Sequence, residues 1–173
     1  MSKGNLLFLN ISKAVNVIEE GILALDKEST FLYVKEEGNK NIFIEELKNK
    51  LSGYEFKILD STQFHLGRKN GIDVSLFKND LKGIPKIIDN KTVYSGHEKL
   101  PHEGSCSEKG ILIFDNIQGA DDGIAGSIDE LIDTRKLFDY NLPEKWYIIT
   151  VASSLEFGWC AKLINRGHSF GIK

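Results

Sequence analysis

The sequence predicts an α/β domain in which a mostly parallel central sheet of about five strands carries helices on both faces. Three observations lead to this. Short apolar, β-rich runs alternate along the chain with segments whose apolar residues recur at helical spacing. Two of the runs are apolar without interruption, which is typical of strands buried on both faces. The 173 residues contain no internal repeat or linker, so we expect one domain over residues 1–173.

The first third of the chain predicts helices and strands in alternation. Residues 12–26 form an amphipathic pattern with Ser12 as a plausible helix cap. Residues 30–34 are apolar and rich in strand-forming types, and they predict a buried strand. A polar turn over residues 35–41 then leads into a second helix. Residues 54–60 alternate between apolar and polar side chains, as a strand does.

Residues 61–108 are the hardest segment to interpret. They are rich in glycine, contain two of the three prolines and show few regular patterns. We expect a short helix at residues 74–81, a hairpin strand at residues 91–94 and otherwise a long irregular loop. Loops of this length in compact domains are usually functional or mobile, but no specific chemistry attaches to this one.

Regular patterns resume after this segment. Residues 111–114 are continuously apolar and end in Asp115, which predicts a strand buried on both faces. Four further elements follow, in the order helix, strand, helix and strand, at residues 124–132, 146–152, 160–164 and 168–172. Helices and strands in this alternation favour parallel pairing with crossover helices.

Composition excludes several classes of function. The net charge of -3 gives no general attraction to nucleic acid or to an acidic membrane. No stretch approaches the roughly 20 apolar residues of a membrane helix, and the start of the chain lacks the apolar core of a signal peptide. Cys106 and Cys160 form no CxxC pair, and the four histidines match no zinc spacing. We therefore expect a cytoplasmic protein with reduced thiols and no metal site.

Three pieces of the chain resemble the core of MoxR-type AAA+ ATPases. Residues 110–117 are similar to the Walker B strand of that family, and residues 140–146 resemble its Y-x-L-P-x-x-W motif. Asn165 and Arg166, with Phe170 beyond them, resemble the N-R-F that ends the core. The similarity covers the last third of the chain well and the first third weakly. It implies a three-layer, P-loop NTPase-like domain, here expected without the family's helical lid.

The resemblance places a degenerate phosphate-binding loop after the first predicted buried strand. Such a loop needs glycines for close backbone approach, a lysine for the phosphates and a hydroxyl for Mg²⁺. Only Gly38 is present. One register puts Asn41 at the lysine position, and the other puts Lys40 there and Asn41 at the hydroxyl position. Neither register supplies a hydroxyl, and Glu36 and Glu37 would repel a polyanion.

The Walker B side is degenerate in the same way. Asp115 has the place of a residue that holds Mg²⁺ through water, or it simply caps the turn that follows. Asn116 replaces the glutamate that polarises the attacking water, and an amide cannot act as a general base. Arg166 matches the arginine that the family can insert into a neighbouring subunit, although packing at the surface is an equally plausible role.

These features together predict a pseudo-ATPase: a non-catalytic, AAA+-like protein-interaction module without a resident cofactor. The partner is expected to be a true AAA+ ATPase, for which the chain acts as decoy or regulator, or a second copy. A small module of this kind would suit a phage or mobile element.

Two other functions stay open. One is weak binding or hydrolysis of ATP with Mg²⁺, using Lys40 and Asp115. The other is nucleic-acid binding through the basic residues of the irregular segment, which the net charge disfavours. Those basic residues are Arg68, Lys69, Lys82 and Lys86.

Overall fold

The computed structural model describes residues 6–24, 29–64, 80–156, 160–164 and 168–173. In chain order the strands are β1 (Leu7–Leu9), β2 (Thr30–Val34), β3 (Glu55–Asp60), β4 (Pro85–Ile88), β5 (Lys91–Tyr94), β6 (Lys109–Asp115), β7 (Lys136–Leu137), β8 (Tyr140–Asn141), β9 (Lys145–Ala152) and β10 (His168–Ile172). The α-helices of the described residues are α1 (Ile11–Leu23), α2 (Glu37–Lys50), α3 (Asp122–Thr134) and α4 (Cys160–Ile164).

The centre of the fold is a six-stranded sheet in the order β1-β10-β2-β9-β6-β3. Every pair of neighbours in this sheet is parallel, so all six carboxyl ends lie at the same edge. The prediction of a mostly parallel sheet is confirmed, but the expected number of about five strands is too low. The additional strand is β1, a three-residue edge strand too short to give a periodic signal.

Helices cover both faces of the sheet, as the sequence predicts. α1 and α2 pack on one face over apolar residues from β2, β6, β9 and β10. α3 and α4 pack on the other face, together with residues from the segment before β6. Because residues alternate between the faces of a strand, β6 contributes Ile111 and Ile113 to one core and Leu112 and Phe114 to the other. The architecture is therefore a three-layer α/β domain.

Two helices begin at other residues than predicted. α1 is capped by Asn10, whose side chain accepts a hydrogen bond of 2.9 Å from the amide of Lys13, and Ser12 lies inside the helix. α2 begins at Glu37, so the polar turn expected over residues 35–41 is reduced to two residues between strand and helix. The predicted turn is therefore wrong over residues 37–41, which are helical.

The described part of the irregular segment is a packed structure. β4 and β5 form an antiparallel hairpin, which confirms the hairpin strand predicted at residues 91–94. Side chains of the main sheet hold the backbone that follows. Lys57 Nζ donates to the carbonyl of Leu100, and the indole of Trp146 donates to the carbonyl of Ser107. A helix was expected at residues 74–81. Residues 74–79 lie outside the described residues, and Leu81 is in a buried turn.

Arg135 organises the connection between α3 and β9. It ends α3 in the left-handed region at φ 57°. Its Nη2 donates to the carbonyls of Pro143, Glu144 and Trp146 at 3.0, 3.2 and 2.6 Å. The segment of the Y-x-L-P-x-x-W resemblance is thus fixed by one guanidinium. None of the helices in the described ranges is long and apolar enough to cross a membrane.

Candidate functional site

The topology marks one position at the carboxyl edge of the sheet. β2 is followed by α2 on one face, and its neighbour β9 is followed by α4 on the opposite face. Neighbouring strands whose connections leave to opposite faces open a crevice at their carboxyl ends, where open α/β sheets usually bind ligands. The residues of interest therefore follow β2, β9 and the adjacent β6.

A three-residue ion cluster occupies this edge. Lys40 lies in the first turn of α2, and its Nζ contacts Asp115 Oδ2 at 2.7 Å and Glu37 Oε1 at 2.8 Å. Asp115 is the last residue of β6. The side chains of Lys40 and Asp115 are only 8% and 15% exposed, whereas Glu37 is 71% exposed. Two residues that are 75 positions apart in sequence thus form a largely buried ion pair.

The electrostatics favour the charged form of this lysine. Burial by itself would lower the pKa of Lys40. Hydrogen bonds to the Asp115 and Glu37 carboxylates outweigh that effect and raise the pKa above its ordinary value of 10.5. Lys40 is therefore a fixed cation at neutral pH, and both carboxylates already neutralise it.

The second oxygen of Asp115 is also engaged. Asp115 Oδ1 accepts a hydrogen bond of 2.8 Å from the amide of Asn116. Asn116 itself has φ 52° and ψ 37°, a left-handed conformation that asparagine tolerates better than most residues. Asp115 therefore both pairs with Lys40 and caps the turn after β6. Of the two roles expected for Asp115 from the sequence, the structure shows the cap of the turn, and the ion pair with Lys40 is an additional contact.

Asp60 extends the cluster across the sheet. It is the register partner of Asp115 at the end of β3. Its Oδ1 accepts bonds from the amide and hydroxyl of Thr62 at 3.0 and 2.7 Å. Burial would raise the pKa of Asp60, but these bonds, together with one to the Asn116 side chain, hold the pKa below its ordinary value of 3.8. Asp60 is thus ionised and locally satisfied.

We expect Asp60 to contribute to stability in mild acid. Because its pKa is lower in the folded state than in the unfolded state, its contribution is present above about pH 4. The contribution is lost as the pH falls from 3.8 through the folded pKa. The free energy of unfolding, measured with urea, should therefore fall less between pH 6 and pH 3 for Asp60→Asn than for the wild type. Equal losses in both proteins would contradict this assignment.

The end of β9 offers little catalytic potential. Ser153 directly follows β9. Its Oγ accepts a hydrogen bond of 2.9 Å from Gln118 Nε2, and its amide donates to Gln118 Oε1 at 3.2 Å. This reciprocal pair ties the end of β9 to the turn after β6. The hydroxyl of Ser153 is therefore used in a structural contact.

The structure unites only part of the site predicted from sequence. It brings together Lys40, Asp115 and Asn116. It places Gly38 and Asn41 in the first turns of α2, where a Cβ on Gly38 would meet no atom within 4 Å, so no close backbone approach requires glycine there. Arg166 lies outside the described residues.

Three residues at this edge of the sheet were not selected from the sequence as site residues. Glu37 was considered only as a charge that repels phosphate, although its spacing of three residues from Lys40 in a helix indicates a pair. Asp60 ends a predicted strand just as Asp115 does, which is the signal that could have identified it. Gln118 gave no signal in the sequence.

The arrangement suits electrostatic neutralisation better than phosphate chemistry. Mg²⁺ prefers oxygen ligands, but Asp115 has each oxygen in a hydrogen bond, and residue 41 is an asparagine rather than a residue with a hydroxyl. Among the described residues, no group of three histidine, cysteine or carboxylate side chains could hold a metal ion. Lys40 and Asp115 are thus engaged with each other, and each oxygen of Asp115 already accepts a hydrogen bond.

Comparison with known proteins adds no assignment: no protein-family model matches the sequence, and a search of curated proteins finds no match.

Proposed function

We propose that this chain is a non-catalytic, AAA+-like protein-interaction module that acts as a decoy or regulator of an AAA+ ATPase. The observation that carries the proposal is the ion cluster of Glu37, Lys40 and Asp115. In a nucleotide site the lysine ammonium must face the phosphates. Here two carboxylates at 2.8 and 2.7 Å take its charge, so a phosphate would have to displace both of them.

The local backbone supports the same proposal. A phosphate-binding loop needs several consecutive backbone N–H groups directed at one point, which requires a glycine-rich loop before the helix. Only Lys35 and Glu36 separate β2 from α2, and the amide of Lys40 already donates to the carbonyl of Glu36 at 3.2 Å. Glu36 and Glu37 add negative charge at the position that a polyanion would enter. Each of these features disfavours binding of ATP.

We expect no nucleotide binding in a calorimetric titration of the full chain with ATP or ADP, with and without Mg²⁺. High micromolar protein should give no heat above dilution, and millimolar nucleotide should not raise the melting temperature. Glu37→Gln is a useful comparison, because it removes the exposed carboxylate of the cluster and keeps the ion pair of Lys40 with Asp115. This variant should also fail to bind.

Micromolar binding by the wild type would contradict the proposal. It would favour the alternative of weak ATP binding, for which the meeting of Lys40 and Asp115 at 2.7 Å is the supporting observation. In that case Lys40→Met should abolish the binding. The interaction itself is tested separately with a purified MoxR-type ATPase. If no complex forms and the ATPase rate does not change, the decoy function is wrong.

A further inference from the structure

The hairpin of β4 and β5 projects an apolar tip. Its turn residues Asp89 and Asn90 have φ of 49° and 59°, as a two-residue type I′ turn requires. Ile87 and Ile88, at the end of β4, are 80% and 52% exposed. A single exposed isoleucine is ordinary, but two adjacent ones on a projecting element with Ile84 near its base are a candidate contact surface.

The base of this hairpin is firmly built into the domain. The amide of Gly96 donates to the carbonyl of Lys82 at 3.0 Å, and the amide of His97 donates to the carbonyl of Leu81 at 2.8 Å. The amide of Tyr94 donates to Asp139 Oδ2 at 2.9 Å. Because the base is fixed, the tip is held in one orientation before any partner binds. A preorganised element loses less conformational entropy on binding than a loose loop.

The charge of the hairpin is opposite to that of the whole chain. Residues 82–94 contain Lys82, Lys86 and Lys91 but only one acidic residue, Asp89. The net charge of the chain is -3. The apolar tip is therefore flanked by cations on a molecule whose remaining surface is acidic, and the complementary surface should be an apolar recess with carboxylates at its rim.

The same chain contains such a recess between α3 and α4. It has a volume of about 160 Å³ and is lined by Ala125, Gly126 and Leu163, with Asp122 and Asp129 at its border. Among the described residues that line the recess, Lys162 is the one cation. α3 carries four acidic residues and no lysine or arginine, so its solvent-facing side is acidic. A Cβ on Gly126 would meet no atom within 4 Å, which shows that the recess is open at that point.

The hairpin and the recess lie towards opposite ends of α3. The recess is at its first two turns, whereas the hairpin contacts Phe138 and Asp139, which follow its last turn. A helix of this length spans about 20 Å. We propose that the hairpin of one copy docks in the α3–α4 recess of a second copy, with Ile87 or Ile88 entering the recess. The contact is head-to-tail, so it uses two different surfaces and leaves one of each free.

This inference rests on the proposed function in that it names a second copy as one partner of the interaction module. The test is sedimentation velocity of the full chain over a range of concentrations. The mass of the wild type should rise with concentration above the 19.4 kDa of one chain, and high salt should weaken the association. The double variant Ile87→Ser/Ile88→Ser removes the tip, and Gly126→Phe fills the recess. Each should weaken self-association at least about tenfold.

Mixing provides the decisive measurement. The tip variant retains an intact recess and the recess variant retains an intact hairpin, so an equimolar mixture should form a one-to-one dimer although each variant alone stays monomeric. Leu23→Ser, a change at an equally exposed apolar residue on α1, should leave association unchanged. If the tip variant does not fold by circular dichroism, Lys86→Glu/Lys91→Glu replaces it and should have the same effect.

The inference is overturned if the wild type stays monomeric at all concentrations. It is equally overturned if the variants associate like the wild type, or if the mixture stays monomeric. None of these outcomes affects the nucleotide titration, which tests the proposed absence of ATP binding by itself.

Discussion

Lys40→Met should lower the free energy of unfolding by about 3 kcal/mol, because it leaves the largely buried carboxylate of Asp115 without its counter-ion. The methionine retains most of the length and apolar character of the lysine side chain. The loss therefore reports the missing charge rather than a cavity. Urea unfolding at pH 7 measures it.

A double-mutant cycle separates the pair from its surroundings. Adding Asp115→Asn to Lys40→Met removes the unpaired charge, so the double variant should be more stable than the Lys40→Met single variant. The coupling energy should lie between about 0.5 and 3 kcal/mol. Lys48→Met is the matched control, because Lys48 pairs with Glu45 at an exposed position, and its effect should stay within about 0.5 kcal/mol. Similar losses for the two lysine variants would show that the pair of Lys40 and Asp115 does not stabilise the fold.

Gly83→Ala should cost about 3 kcal/mol of stability, for two additive reasons. Gly83 has φ 76°, and a Cβ there would lie 2.2 Å from the carbonyl oxygen of Gly96. That contact involves backbone on both sides, so no side-chain rotation relieves it. Gly104 has nearly the same φ of 79°, but a Cβ there would meet nothing within 4 Å.

The pair of glycines therefore isolates the steric part of the effect. Gly104→Ala should cost only the conformational penalty of about 1 kcal/mol. Thermal and urea unfolding of both variants provide the comparison. If Gly83→Ala were no worse than Gly104→Ala, the close approach at the base of the hairpin would not be a constraint on the fold.

The parallel sheet was predictable because its strands carry strong local signals. β6 and β9 are buried on both faces, and such strands read as continuous apolar runs. β10 was also predicted, as a short strand at residues 168–172, although its sequence His-Ser-Phe-Gly-Ile is not a continuous apolar run. β1 was not, because three residues give no periodicity and its pairing with β10 joins segments about 160 residues apart. The order of the strands across the sheet could not be predicted either, because local sequence patterns do not determine it.

The start of α2 shows how polar composition can hide the first turn of a helix. Residues 37–41 were assigned to a polar turn before the second helix, yet they are helical. Glycine and asparagine are weak helix formers, so the composition of this stretch did not oppose the error. Tertiary contacts decide the outcome: Lys40 is placed on the side of the helix that faces Asp115.

The candidate site was predictable only residue by residue. Lys40 and Asp115 were selected independently, and the structure brings them into contact. Their direct pairing could not be derived from sequence, because it depends on which strands are neighbours and how far α2 approaches the sheet edge. The partners of Lys40 indicate its role. Because Glu37 and Asp115 pair with its ammonium group, the lysine neutralises charge within the domain.

The position of β10 has a consequence for how the chain folds. β10 follows the other described strands in sequence, and in the sheet it lies between β1 and β2, which precede them. In synthesis from the amino terminus, β1 therefore has no neighbour in the sheet until residues 168–172 have been made. Pairing between segments this distant in sequence slows folding, because the loop entropy is lost before the contacts form. The nascent chain must therefore hold a gap in its sheet between β1 and β2 until residues 168–172 have been made, and β10 then fills that gap from the inside.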